Sequence, residues 1–153
     1  MTEITFLASS KRLKIPDEIE EYNYRTVFEK EEDAIYFTVQ KIDHYWKEKV
    51  SGLFTLPYIY EAHGVGNSFF LTYLDKYMEL GDVLELYHVR SQNQFDEFRR
   101  RMEEAPKPIE INTGSYMYRD IYGSYKLEPK RWLDELRHRN YIGHHGITTF
   151  VKY

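Results

Sequence analysis

The sequence predicts one α+β domain over residues 1–153, a mixed and mostly antiparallel sheet carrying about three helices. Three observations predict it. Apolar residues recur with period two in some segments and with helical spacing in others, without the regular strand–helix alternation of a parallel α/β protein. The length of 153 residues fits one domain, enough to bury roughly 70% of the unfolded surface. No linker, low-complexity tract or domain-scale repeat divides the chain.

Ile4 to Ala8 reads as an opening strand. Ile15-Pro16-Asp17-Glu18-Ile19 then breaks the pattern, with a proline suited to a first helical turn. Residues 33–40, DAIYFTVQ, alternate, with Ile35, Phe37 and Val39 on one side. Residues 53–62, LFTLPYIYEA, are strand formers, and Pro57 marks an edge or a bulge because it cannot donate to a ladder. A helix is expected from about residue 67 to residue 80. Asn67 suits the N-cap, Phe70, Leu74, Tyr77 and Met78 make the stripe, Phe69, Tyr73 and Leu80 widen it, and Gly81 suits the position after its end.

Residues 82–90 follow as a strand with Leu84, Leu86 and His88 on one face and Val83, Glu85, Tyr87 and Val89 on the other. Ser91 and Gln94 read as a capping box for a second helix whose inner stripe is Phe95, Phe98 and Met102. Ile109 to Tyr118 alternate as one long strand. A third helix opens at Pro129 and turns Trp132, Leu133 and Leu136 inward. Tyr141-Ile142 and Ile147 to Val151 flank Gly143-His144-His145-Gly146 as a hairpin. Ile35, Phe37, Phe70, Leu74, Leu84, Leu86 and Phe98 are the expected core.

Composition excludes several function classes. The net charge of −4 argues against a general nucleic-acid footprint. Arg99-Arg100-Arg101 has carboxylates four positions ahead, at Asp96 and Glu97, and reads as a solvated helix face. Without cysteine there is no disulfide, thiolate metal site or cysteine nucleophile. The opening residues lack a basic stretch followed by a long apolar one, and no run approaches 18 apolar residues, so neither a signal peptide nor a membrane span is expected. The expected location is the cytoplasm. The six histidines form no recognised ligand spacing, and no metal is expected.

Two places could hold a site. Gly-Ser-Tyr occurs at residues 114–116 and again at 123–125, with Arg119-Asp120 between them. If that pair turns the chain, Tyr116 and Tyr118 share a face and Tyr125 approaches across the ladder. Such a face serves either packing or ligand stacking. The other place is His63-Gly64-Val65-Gly66-Asn67-Ser68, which follows a strand and opens a helix. Amides of Gly64, Gly66, Asn67 and Ser68 would there meet an anion at the positive end of the helix dipole.

Gly64-x-Gly66, Gly81, the strand ending at Val89, and Asn93 together resemble the acyl-CoA-binding core of the N-acetyltransferase superfamily over residues 61–98. The resemblance implies that the glycine turn holds a pyrophosphate. Glu61 departs from it, standing three positions before Gly64 where that family usually has Arg or Gln. The expected function is a non-catalytic binding or protein-interaction module, with a protein partner or a second copy as its partner. The alternative is a small acyl-CoA-dependent transferase, and the second alternative RNA or DNA binding. Cofactor and catalytic residues stay open at this point.

Overall fold

The structure is a computed structural model in which residues 3–13, 37–66, 68–139, 141–142 and 146–153 are described. Among the described residues eight strands form one mixed sheet: β1 (Ile4–Ser9), β2 (Thr38–Lys41), β3 (Tyr58–His63), β4 (Val83–Val89), β5 (Ile109–Asn112), β6 (Met117–Asp120), β7 (Gly123–Lys126) and β8 (Thr148–Val151). Their order is β2-β3-β1-β4-β8-β5-β6-β7. Every pairing is antiparallel except β5 with β8. Among the described residues four helices lie on the sheet: α1 (His44–Lys49), α2 (Ser68–Lys76), α3 (Phe95–Glu104) and α4 (Trp132–Arg137).

Strand parity decides which helix covers which face. Leu7 of β1 and Leu84 and Leu86 of β4 point to one side, where Phe70, Leu71 and Leu74 of α2 and Trp132 and Leu136 of α4 meet them. Phe6 of β1 and Tyr87 and Val89 of β4 point to the other, against Trp46 of α1 and Phe95, Phe98 and Met102 of α3. The architecture is therefore α+β with helices on both faces of a central sheet. Buried β1 has six covered residues in succession, as a strand between two helical layers must. On the second face Phe6, Trp46 and Phe95 stand with centroids 5.3–5.9 Å apart in tilted or edge-on pairs. Such pairs each add about 0.5–1.5 kcal/mol beyond area burial. Among the expected core residues, Phe37, Phe70, Leu74, Leu84, Leu86 and Phe98 are buried, and Ile35 lies outside the described residues, as does the turn expected at Ile15–Ile19.

Several local expectations are corrected. Among the described residues there are four helices where about three are expected, because α1 stands where no helix is expected. Asp43 caps it, its carboxylate accepting from the Trp46 N–H at 3.0 Å. The helix before β4 ends at Lys76, not near residue 80, and Leu80 is 77% exposed. There the Asp82 carboxylate accepts from the Glu79 N–H, and Gly81, at φ +91°, donates to the Lys152 carbonyl, so the chain is already turning into β4. Pro57 precedes β3, whose two edges are taken by β2 and β1; the proline is outside the ladder rather than at a sheet edge. Ser91 makes no capping bond, and a 3₁₀ turn at Gln92–Gln94 leads into α3 instead.

Residues 109–118 are not one strand. A turn at 113–116 separates β5 from β6, and Tyr116 takes a left-handed φ of 60° in it. The chain reverses again at Ile121-Tyr122, not at Arg119-Asp120, which belong to β6. Nor do residues 141–142 pair with β8, since β8 already bonds β4 on one side and β5 on the other. Residues 143–145 of that expected loop lie outside the described residues. The expected ion pairs on α3 form in part: Arg101 reaches Glu97 at 2.6 Å, but Asp96 pairs with Lys49 of α1 at 3.0 Å.

Candidate functional site: a cleft at the start of helix α2

β1 runs antiparallel to both its neighbours, β3 and β4. Its first residues therefore lie beside the last residues of those two strands. The glycine turn leaves the end of β3 at this same place and delivers the chain to α2. A cleft of about 630 Å³ opens there, lined by all four elements. Its size is that of a small-molecule site.

The floor on the α2 side is polar. Thr5 and His88 are register partners across β1 and β4 and have the parity of Leu7 and Leu86, which face α2. The Thr5 hydroxyl lies 2.7 Å from His88 Nδ1, and His88 Nε2 is 3.5 Å from a Glu3 carboxylate oxygen. Thr5 is only 7% exposed, and the His88 side chain 12%. At the rim, Glu61 accepts a hydrogen bond from the Gln40 amide at 2.6 Å, and its carboxylate lies 3.1 Å from His63 Nε2.

The glycine turn forms the opposite wall. Gly64, Val65 and Gly66 line the cleft, and Gly64 has a φ of +75° that a side-chain-bearing residue rarely adopts. The turn is pinned from beneath, where the Tyr141 hydroxyl donates to the Val65 carbonyl at 2.8 Å in a buried bond. Burial pushes the Tyr141 phenol up to about 12, with Arg137 opposing weakly. Gly66 is exposed, and a methyl group there would meet only Ile142 Cδ1, at an ordinary 3.8 Å. Because α2 begins at Ser68, the start of the helix, where the positive end of its dipole lies, follows closely on this wall.

Of the residues expected at a site, Gly64 and Gly66 line the cleft and Ser68 opens α2; Asn67 lies outside the described residues. The tyrosines are elsewhere, with β8 and β5 standing between β4 and their strands. Tyr118 and Tyr125 are partners across β6 and β7, their rings 6.3 Å apart, but Tyr118 is buried. Tyr116 sits in the preceding turn and packs on Trp132 at 6.0 Å. Arg139 places its guanidinium 4.9 Å from the Tyr118 ring centre and 5.0 Å from that of Tyr125, a cation–π contact inside the protein itself. Thr5 and Glu3 were not singled out by the sequence. The available signal was His88, a polar residue at an inward position between apolar strand neighbours.

Comparison with protein-family models finds no match, and comparisons with curated proteins and with solved structures find none either. Among the described residues no three His, Asp or Glu side chains are grouped to hold a metal ion, and no helix is long and apolar enough to cross a membrane.

Proposed function

We propose that this chain is a binding protein whose cleft between the start of β1 and the glycine turn takes a small ligand bearing an anionic group. One observation carries the reading: the turn that leads into α2 lines a cleft of about 630 Å³, so the positive end of the helix dipole lies beside space a ligand can enter. The acyl-CoA-dependent transferase is the second reading, favoured by the same turn, which would take the pyrophosphate. Glu61 at the rim opposes it, and β1 lies between β3 and β4, the two strands joined through α2.

A thermal-shift screen with acyl-CoAs, nucleotides and simple phosphorylated compounds tests both. A ligand present at a hundred times its Kd stabilises the fold by about 2.7 kcal/mol, or about 5–10 °C for a domain of this size. Gly66→Asp should abolish that shift. It sets a like charge at the anion position, yet the site has room for the side chain, and an acidic residue near a helix start favours the helix. A screen in which nothing stabilises the protein, or a Gly66→Asp protein that responds like the parent, refutes the anion site.

A further inference from the structure

We propose that the same cleft performs acyl transfer, with Thr5 as nucleophile and His88 as its general base, acting on small activated esters or thioesters. The inference rests on the cleft admitting small molecules, as the binding reading also requires, but it needs no anion at Gly66. Its ground is the geometry of one pair. Thr5 and His88 are held opposite each other by strand register in the middle of the sheet, so their 2.7 Å contact is fixed by the ladder rather than by a loop. A Glu3 carboxylate oxygen at 3.5 Å from Nε2 favours a proton on that nitrogen, which leaves the Nδ1 lone pair to accept from the Thr5 hydroxyl. That is the hydrogen-bond direction a general base needs. Both side chains line the cleft.

The step balances with the groups present and water. Thr5 Oγ1 adds to the acyl carbonyl carbon as its proton passes to His88 Nδ1, and the carbonyl π pair moves onto oxygen. Collapse of this intermediate breaks the bond to the leaving oxygen or sulfur, which takes the proton back from His88. The acyl group is now an ester on Thr5. Water then attacks that ester with His88 again as base, releasing a carboxylic acid and restoring the hydroxyl. Glu3 stabilises the imidazolium that forms in each half, acting through His88 as a positioning residue.

A purely structural Thr5–His88 bond would hold β1 to β4 and do no chemistry, so the test reads chemistry and folding separately. The full chain is incubated with p-nitrophenyl acetate and, in a parallel arm, with a fluorophosphonate. Intact-mass measurement and peptide sequencing locate any adduct, and thermal melts report the fold. The expected result is a single adduct on Thr5, kept in Thr5→Ser and slowed about a hundredfold or more in His88→Asn, whose amide can still accept the threonine proton's hydrogen bond but cannot take the proton. Thr5→Val should not label; if it fails to fold, Thr5→Ser and His88→Asn still decide. No adduct at Thr5, or labelling of His88→Asn at the parent rate, overturns the proposal. Labelling absent beside an intact anion shift overturns this inference and leaves the binding reading standing.

Discussion

Tyr87 and Tyr141 are both buried phenols, and the structure predicts opposite results when each loses its hydroxyl. Tyr141 donates a 2.8 Å hydrogen bond to the Val65 carbonyl, so Tyr141→Phe strips a buried acceptor of its partner while the ring keeps its edge-on contact with Phe150 at 6.1 Å. An orphaned buried acceptor costs about 1–3 kcal/mol. Tyr87 is fully buried under α3, and its hydroxyl has no hydrogen-bond partner among the described residues. Its desolvation is already a cost of the folded state, so Tyr87→Phe should leave stability unchanged or raise it by about 1 kcal/mol. Urea denaturation at neutral pH measures both, with the slope checked for constancy. In a domain of this size a gap of about 1–4 kcal/mol separates the two melting temperatures by about 2–16 °C. Two variants that lose stability equally would refute the reasoning, because they would show the Tyr87 hydroxyl to be as well satisfied as that of Tyr141.

The same phenols set an alkaline limit. Burial pushes each to about 12 from an ordinary 10.0, so the unfolded chain releases these protons first. Their contribution is complete below about pH 10 and lost as pH rises toward 12, at no more than about 1.4 kcal/mol per pH unit for each tyrosine. Stability against pH should therefore fall less steeply over that range in either phenylalanine variant. Leu74 is fully buried between α2 and the sheet, and Leu74→Ala should cost about 2–5 kcal/mol by chemical denaturation; a variant as stable as the parent would contradict the assigned core. Gly146→Ala should destabilise strongly, since a methyl group there would run into the backbone of Lys107 and Pro108, which cannot yield as a flexible side chain does. A melting temperature within a degree or so of the parent's would show that this approach is not tight.

The parts of the fold legible in the sequence are those whose pattern is carried within one element. β1 and β4 read correctly because each packs both faces, and the parity of Leu84 and Leu86 against Tyr87 and Val89 survives intact in the structure. The stripe of α3 is legible for the same reason. α1 is not. It has six residues and a single buried side chain, Trp46, too few for a helical period to show. Tyr116 is illegible for a different reason. Its positive φ comes from the turn that ends β5, where the Asn112 carboxamide accepts from the N–H groups of Gly114 and Ser115, and alternation alone carries that tyrosine into a strand. Gly81 shows a third limit. A glycine after an apolar stripe suits a helix end, but here it serves the turn into β4, and the stripe's extension to Leu80 points into solvent.

The candidate site divides along the same line. Its glycine wall is local, a strand end, a turn and a helix start in continuous sequence, and it is readable as such. The Thr5–His88 pair is not local: 83 positions separate the two residues, and only the β1–β4 register joins them. A histidine between apolar strand neighbours shows that an inward position must find a polar partner, because a buried imidazole without one carries the cost of an unmade hydrogen bond. The strand supplying that partner follows from topology, here from β1 inserting between β3 and β4 rather than pairing at their edge. That insertion also gathers the ends of both strands, the start of β1 and the opening of α2 at one cleft. The acyl-transfer and anion-site proposals are thus two consequences of a single topological choice, which is why the tests above perturb His88 and Gly66 separately.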